Sequence, residues 1–195
     1  MMTVYGSKVS YFTGKLESYL RYKRIAYRLS AAFSRRAEIV ANVGAMQLPV
    51  VQCADGRWMS DTTPILQFLE SEHPHPTIFP SDPAVGFIAL LLEDYADEWL
   101  WRPAMHYRWS YAHDRELLSS LITDELMTHL PLPRFVKRRV IQARQRLGFV
   151  VWDGVSPSTR GHVEAGYKAA LDHLSAMLES RLFLLGDAPS VADFG

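Results

Sequence analysis

Four prolines fall within the eleven residues from His73 to Pro83, HPHPTIFPSDP. Each removes a backbone donor and pushes its preceding residue out of the helical region, so neither a helix nor a central strand can run through this stretch. The 195 residues therefore divide into a domain at 1–76, a linker at 77–84 and a second domain at 85–195. The two domains differ in hydrophobic period.

The first alternates strand-like and helix-like pieces. Thr3 to Gly6 reads as a short strand. From Thr13 to Lys23 the apolar positions Leu16, Tyr19 and Leu20 follow helical spacing. Ala26 to Ala31 reads as a strand, and Ser34 is placed to cap a helix ending near Val43, before Gly44. Pro49 to Cys53 and Arg57 to Met59 flank Asp55-Gly56, a hairpin pattern because Asp-Gly supplies the positive φ that such turns require. Thr63-Pro64 opens a further helix, with proline where its missing donor costs nothing. The order is βαβαββα.

The second domain carries no strand signal. Ala84 to Trp101 shows Phe87, Leu91, Tyr95 and Trp99 four apart, a helical stripe that Pro103 interrupts. Further helices are expected at Arg115–Leu130, at the basic stretch Pro133–Leu147, and at Ser158–Arg181, where Val163, Tyr167, Ala170 or Leu171, Leu174 and Leu178 share a face. Ser190-Val-Ala-Asp193 is a variant capping box two residues before Gly195. We therefore expect the chain to be truncated at its last helix.

Twenty-one basic residues balance 21 acidic ones, which removes the electrostatic footprint of a nucleic-acid or anionic-membrane binder. Cys53 is the only cysteine, so no internal disulfide, CxxC pair or multi-cysteine zinc site is available. The seven histidines form no HExxH pattern, and no metal site is expected. The first ten residues lack a basic-then-apolar leader, and the longest apolar run, Phe87 to Leu92, is too short to span a bilayer. The expectation is a cytoplasmic globular protein.

Four segments in register resemble the glutathione S-transferase superfamily. Ser10-Tyr-Phe-Thr-Gly-Lys15 is similar to that family's turn into helix one, although Tyr11 stands where the family usually has proline. Gln47-Leu-Pro49 is similar to its Q-V-P, whose proline is cis, and Asp61-Thr-Thr-Pro-Ile-Leu-Gln-Phe-Leu69 to its E-S-x-A-I-x-x-Y-L. Phe183 to Phe194 matches its late capping segment, FLxGxxPSxADF. The resemblance implies an α/β thioredoxin-like N-terminal domain, an all-α C-terminal domain and a homodimer. It implies glutathione as cosubstrate, with no cofactor, and a hydrophobic electrophile as the second substrate. A non-catalytic ligand-binding or protein-interaction module on the same fold is the alternative.

In that setting Ser10 is the catalytic candidate. A free thiol is mostly protonated at neutral pH, and a hydroxyl donating to sulfur at the positive end of a helix favours the thiolate. Thr13 and Tyr5 are competing hydroxyls, and Ser10 also suits a plain N-cap. Asp61 and Thr62 fit the α-ammonium and α-carboxylate of the γ-glutamyl group, while also suiting an N-cap pair. Pro49 is implied to be the cis proline that leaves the Val50 backbone to pair with the cysteinyl part, and Gln47 and Leu48 adjoin it. Arg35 and Arg36 are read as a solvated helix face, and so are the basic residues of 134–146. Cys53 reads as a small buried hydrophobe. Trp99, Trp101, Tyr107, Trp109 and Tyr111 suit either core or an apolar pocket.

Overall fold

The computed structural model describes residues 1–195. It has two units: Met1–Thr77 with Asp124–Pro131 and Phe194, and Ile78–Thr123 with Leu132–Asp193 and Gly195.

The first unit is built on strands β1 (Met2–Gly6), β2 (Tyr27–Ala31), β3 (Val50–Gln52) and β4 (Trp58–Ser60), in the order β2-β1-β3-β4. β1 and β2 run parallel, while β3 is antiparallel to both β1 and β4. Helices α1 (Tyr11–Tyr22), α2 (Arg36–Val43) and α3 (Thr62–Glu72) complete it. Every residue of β1 is buried, because this strand has a neighbour on each side and helices over both faces. Tyr5 and Val50 point to the face where Ala32 and Ile39 pack, with Val43, Met46, Leu48 and Trp58 around them. Val4 and Val51, one residue out of phase, point to the other face, and both are sealed from water. α1 and α3 cover that side, joined by Tyr19 Oη donating to Glu70 Oε1 at 2.9 Å.

The β and α order matches the sequence pattern, and the differences are local. Ser34 does not cap α2: its hydroxyl donates to the Ala31 carbonyl at 3.0 Å, a 3-10 turn occupies Phe33–Arg35, and α2 starts at Arg36. Cys53 lies just beyond β3 and is half-buried instead of fully packed, its N–H donating to the Arg57 carbonyl at 2.8 Å. Gly56 takes φ +90° in the intervening turn. Within this unit Glu125 Oε1 accepts from the Lys8 N–H at 2.9 Å, His129 stacks on Phe33, and Phe194 meets Tyr19 edge-on at 6.0 Å.

The second unit is helical: α4 (Pro83–Asp94), α5 (Trp101–Ser110), α6 (Ala112–Leu126), α7 (Arg134–Arg146) and α8 (Arg160–Leu178). Asp82 caps α4, accepting from the Ala84 and Val85 N–H groups at 2.8 and 3.0 Å. Pro103 does not end the helix. A π turn at Tyr95–Trp99 precedes α5, so the carbonyl four residues before Pro103, where its ring would clash, lies in a turn that has already widened. A second π turn, Leu147–Val151, follows α7. The stripe Phe87, Leu91, Tyr95 and Trp99 faces outward, at 64, 51, 41 and 61% exposure. On α8 the buried position is Ala170, whereas Leu171 and Leu178 are exposed. Asp193 closes the expected capping box, accepting from the Ser190 N–H at 2.8 Å and from its hydroxyl at 3.0 Å. No helix is long and apolar enough to cross a membrane.

Candidate functional site

Three segments leave the sheet of the first unit at one end. Tyr5 of β1 lies opposite Val50 of β3, and Val50 opposite Ser60 of β4. The turn to α1 follows β1, Pro49 precedes Val50, and Asp61 follows Ser60. Adjacent strands are about 5 Å apart, so Ser10, Pro49 and Asp61 are borne by neighbouring chain ends. Two of those ends are helix N-termini, where free N–H groups and the helix dipole favour negative charge.

Ser10 is the N-cap of α1, with φ −86° and ψ 127°. Its Oγ accepts the Thr13 N–H at 3.3 Å. The cap thus uses an oxygen lone pair and leaves the O–H to donate. The neighbouring hydroxyls are both buried. Thr13 is fully buried, and its Oγ1 accepts the Ser7 N–H at 3.3 Å. Gly6 makes that approach possible, since a Cβ there would stand 2.6 Å from Thr13 Cγ2. Tyr5 is buried with its ring stacked on Trp58 at 5.3 Å, and its hydroxyl donates to Gln52 Oε1 at 3.1 Å. Tyr11 is exposed at the first position of α1.

The Leu48–Pro49 bond is cis. Pro49 is buried, Leu48 packs against the α2-side core, and Gln47 is exposed. Asp61 caps α3, with Oδ1 accepting the Thr63 N–H at 3.3 Å. Its φ of +74° is rare for a residue with a side chain, and aspartate tolerates it best among charged residues. Thr62, the first residue of α3, is buried, whereas Asp61 is exposed. Arg35 is paired with Glu38 at 3.2 Å on the exposed face of its helix. The link from Glu125 to the loop before Ser10 spans 117 positions, and no local pattern announces it. The aromatic group of the second unit divides: Trp109 is core, Trp99 is exposed, and Tyr107 stacks on Tyr111.

A mixed four-stranded sheet with a cis proline leading into its central strand β3, followed by a helical unit, defines a thioredoxin-like domain joined to an all-α domain. Residues 4–77 match the family model of the glutathione S-transferase N-terminal domain. The whole fold is similar to a glutathione S-transferase from Rhodospirillum rubrum F11, with TM-score 0.64 and 18% identity over 100% of this chain and 74% of that one. It is also similar to an epsilon-class glutathione S-transferase from the housefly, Musca domestica (TM-score 0.60, 13% identity, 100% and 73% covered). A third similar structure, a glutathione S-transferase from Methylobacterium radiotolerans in complex with glutathione sulfonate, aligns with TM-score 0.55 and 18% identity, covering 99% and 74%. No curated protein sequence matches the chain. Residues 4–77 thus form a glutathione S-transferase N-terminal domain, and the chain as a whole has the fold of the solved glutathione S-transferases.

Proposed function

We propose that this chain is a glutathione transferase, which binds glutathione at the sheet end bearing Ser10, Pro49 and Asp61 and activates its thiol for attack on a hydrophobic electrophile. The observation that carries the reading is Ser10 itself: its oxygen caps α1 while its O–H is left to donate, at the positive end of that helix. A thiolate there gains a charge-assisted hydrogen bond and the helix dipole, and each unit by which the thiol pKa falls corresponds to about 1.4 kcal/mol in favour of the anion. The burial of Thr13 and Tyr5 supports Ser10 over either alternative. Asp61 takes the α-ammonium of the γ-glutamyl group, and the α3 N-terminus, through the backbone N–H groups that begin at Thr62, takes its α-carboxylate. Gln47, Leu48 and Pro49 flank the cysteinyl part. Glutathione is a cosubstrate in this scheme, and no further cofactor takes part.

The outward apolar stripe of α4 and the π turn after it supports a homodimer, because a second copy would cover Phe87, Leu91 and Trp99. A cytoplasmic location follows from the substrate, since glutathione keeps thiols reduced in the cytosol.

The test is a pH titration of thiolate absorbance with bound glutathione, on wild type and Ser10→Ala, together with turnover of an aryl halide. Wild type should lower the thiol pKa, and Ser10→Ala should return it toward the free value with turnover falling alongside. An unshifted titration and undiminished turnover in Ser10→Ala would remove the assignment. Binding without turnover in wild type would instead favour a binding module, a reading motivated by Tyr11 beside Ser10.

A further inference from the structure

The second unit contains a histidine that the glutathione reading leaves unused. His106 on α5 is completely buried, with both ring nitrogens engaged. Nε2 lies 2.9 Å from Glu164 Oε1, and Nδ1 lies 2.7 Å from Ser110 Oγ, one helical turn further on. A carboxylate can only accept, so Nε2 carries the proton of the neutral ring and Nδ1 is left bare. The Ser110 hydroxyl therefore donates to Nδ1. This is the arrangement that activates a serine: a nucleophile on a base, and a base oriented by a carboxylate.

The carboxylate is itself held. Tyr111 Oη donates to the same Glu164 oxygen at 2.6 Å, and Arg160 Nε stands 3.7 Å from it. The Tyr111 bond first, and the His106 bond next, keep Glu164 below the ordinary carboxylate range. The Tyr111 ring lies 5.6 Å from the imidazole and stacks on Tyr107. A histidine with only a packing role needs no access to its serine. Here Ser110 lines a cavity of about 330 Å³, together with Val150, Val151 and Val155 and with Arg146 and Arg160. All of these residues belong to the second unit.

We propose that Ser110, His106 and Glu164 form an acyl-transfer site that hydrolyses short carboxylic esters without glutathione. Ser110 Oγ attacks the ester carbonyl carbon while its proton passes to His106 Nδ1, and the carbonyl electron pair moves onto oxygen. Arg146 and Arg160 supply positive charge to the wall where that oxyanion develops. Collapse breaks the bond to the alkoxide, which leaves as the alcohol with the proton from Nδ1. Water then adds to the acyl-serine by the same proton route, releasing the carboxylic acid and restoring the Ser110 hydroxyl. Glu164 and Tyr111 are positioning residues that stabilise the transient imidazolium. The three valines fit the apolar part of the ester.

The test uses the full chain with no glutathione present, so its outcome is independent of the site at Ser10. A fluorophosphonate probe should label wild type, with the adduct mapped to Ser110 by mass spectrometry. p-Nitrophenyl acetate should be hydrolysed with an initial burst. Ser110→Ala removes a single oxygen at a helix end, and should lose the label, the burst and at least about 100-fold in turnover. Glu164→Gln should lower kcat about 100-fold with KM unchanged, a split that a purely structural role would not produce. A probe that leaves Ser110 unmodified, or Ser110→Ala hydrolysing the ester at the wild-type rate, would overturn the proposal.

Discussion

The ammonium of Lys23 lies 2.7 Å from Oε1 of Glu70, with both side chains shut off from water. Lys23 Nζ also donates to the Pro76 carbonyl at 2.6 Å, and Thr77 Oγ1 donates to the second Glu70 oxygen at 3.1 Å. With the Tyr19 hydroxyl on Glu70, the network joins the end of α1, the end of α3 and the chain that leaves it. Burial first, and the Glu70 bond second, push the Tyr19 phenol far above its ordinary range, so it stays a donor at all working pH values. Removing one partner strands the other charge in the interior. Glu70→Gln should therefore cost about 3–5 kcal/mol in urea denaturation, whereas the paired change Lys23→Met with Glu70→Leu should recover most of that loss. Equal losses in the single and paired variants would show that the ion pair is not the controlling element.

Gly6 and Thr13 form a steric pair. A methyl on Gly6 would meet Thr13 Cγ2 at 2.6 Å and Oγ1 at 2.8 Å, closer than atoms can pack. Gly6→Ala should destabilise by about 1–3 kcal/mol, the usual cost of overpacking. Adding Thr13→Ala removes both clashing atoms. The double variant should then be more stable than the sum of the single effects, a coupling that a thermal-unfolding mutant cycle reads directly.

Asp61 combines a cap with a charge, and Asp61→Asn separates the two. Asparagine keeps the acceptor for the Thr63 N–H and tolerates positive φ, so stability should hold within about 0.5 kcal/mol. The lost charge-assisted bond to the α-ammonium is worth about 1.5–3 kcal/mol, which predicts glutathione binding weakened about 10- to 150-fold by calorimetry. Unchanged affinity would place the γ-glutamyl group elsewhere.

Cys53 should be a slow thiol. Burial first, and the nearby Asp55 carboxylate next, raise its pKa above the ordinary 9.0. Folding thus favours the neutral form, a preference fully present below pH 9.0 and lost as the pH rises through the folded-state value. At pH 8 iodoacetamide should alkylate Cys53 more slowly than a free thiol, with the ordinary rate returning in denaturant. Mass spectrometry of timed samples would show it.

What the sequence revealed depended on how local the cause was. The Asp55-Gly56 turn and the Asp61 cap each rest on residues within a few positions of one another, and both were legible. The start of α2 was not, because Ser34 spends its hydroxyl on the Ala31 carbonyl and leaves the helix uncapped. The residues of the candidate site fall in three short patterns, but the burial that separates Ser10 from Thr13 and Tyr5 depends on Gly6 admitting Thr13 and Trp58 covering Tyr5, and no pattern announces it. The Ser110–His106 spacing of four lies within one helical turn. Its partner Glu164 is 58 positions from His106, beyond any local pattern.

The π turn at Tyr95–Trp99 sets a phase for everything after it. Along an unbroken α-helix His106, eleven residues past Tyr95, would return to within about 20° of the Tyr95 direction. Tyr95 looks outward and His106 is sealed inside, so the wide turn has rotated the downstream segment away from that direction. The interior of this unit is therefore addressed by a count of residues as much as by their kind. Straightening residues 95–99 into plain α-helix with the count unchanged would alter no core side chain, yet it would swing His106 to within about 20° of the outward Tyr95 direction, whereas deleting one of the five would restore its inward phase.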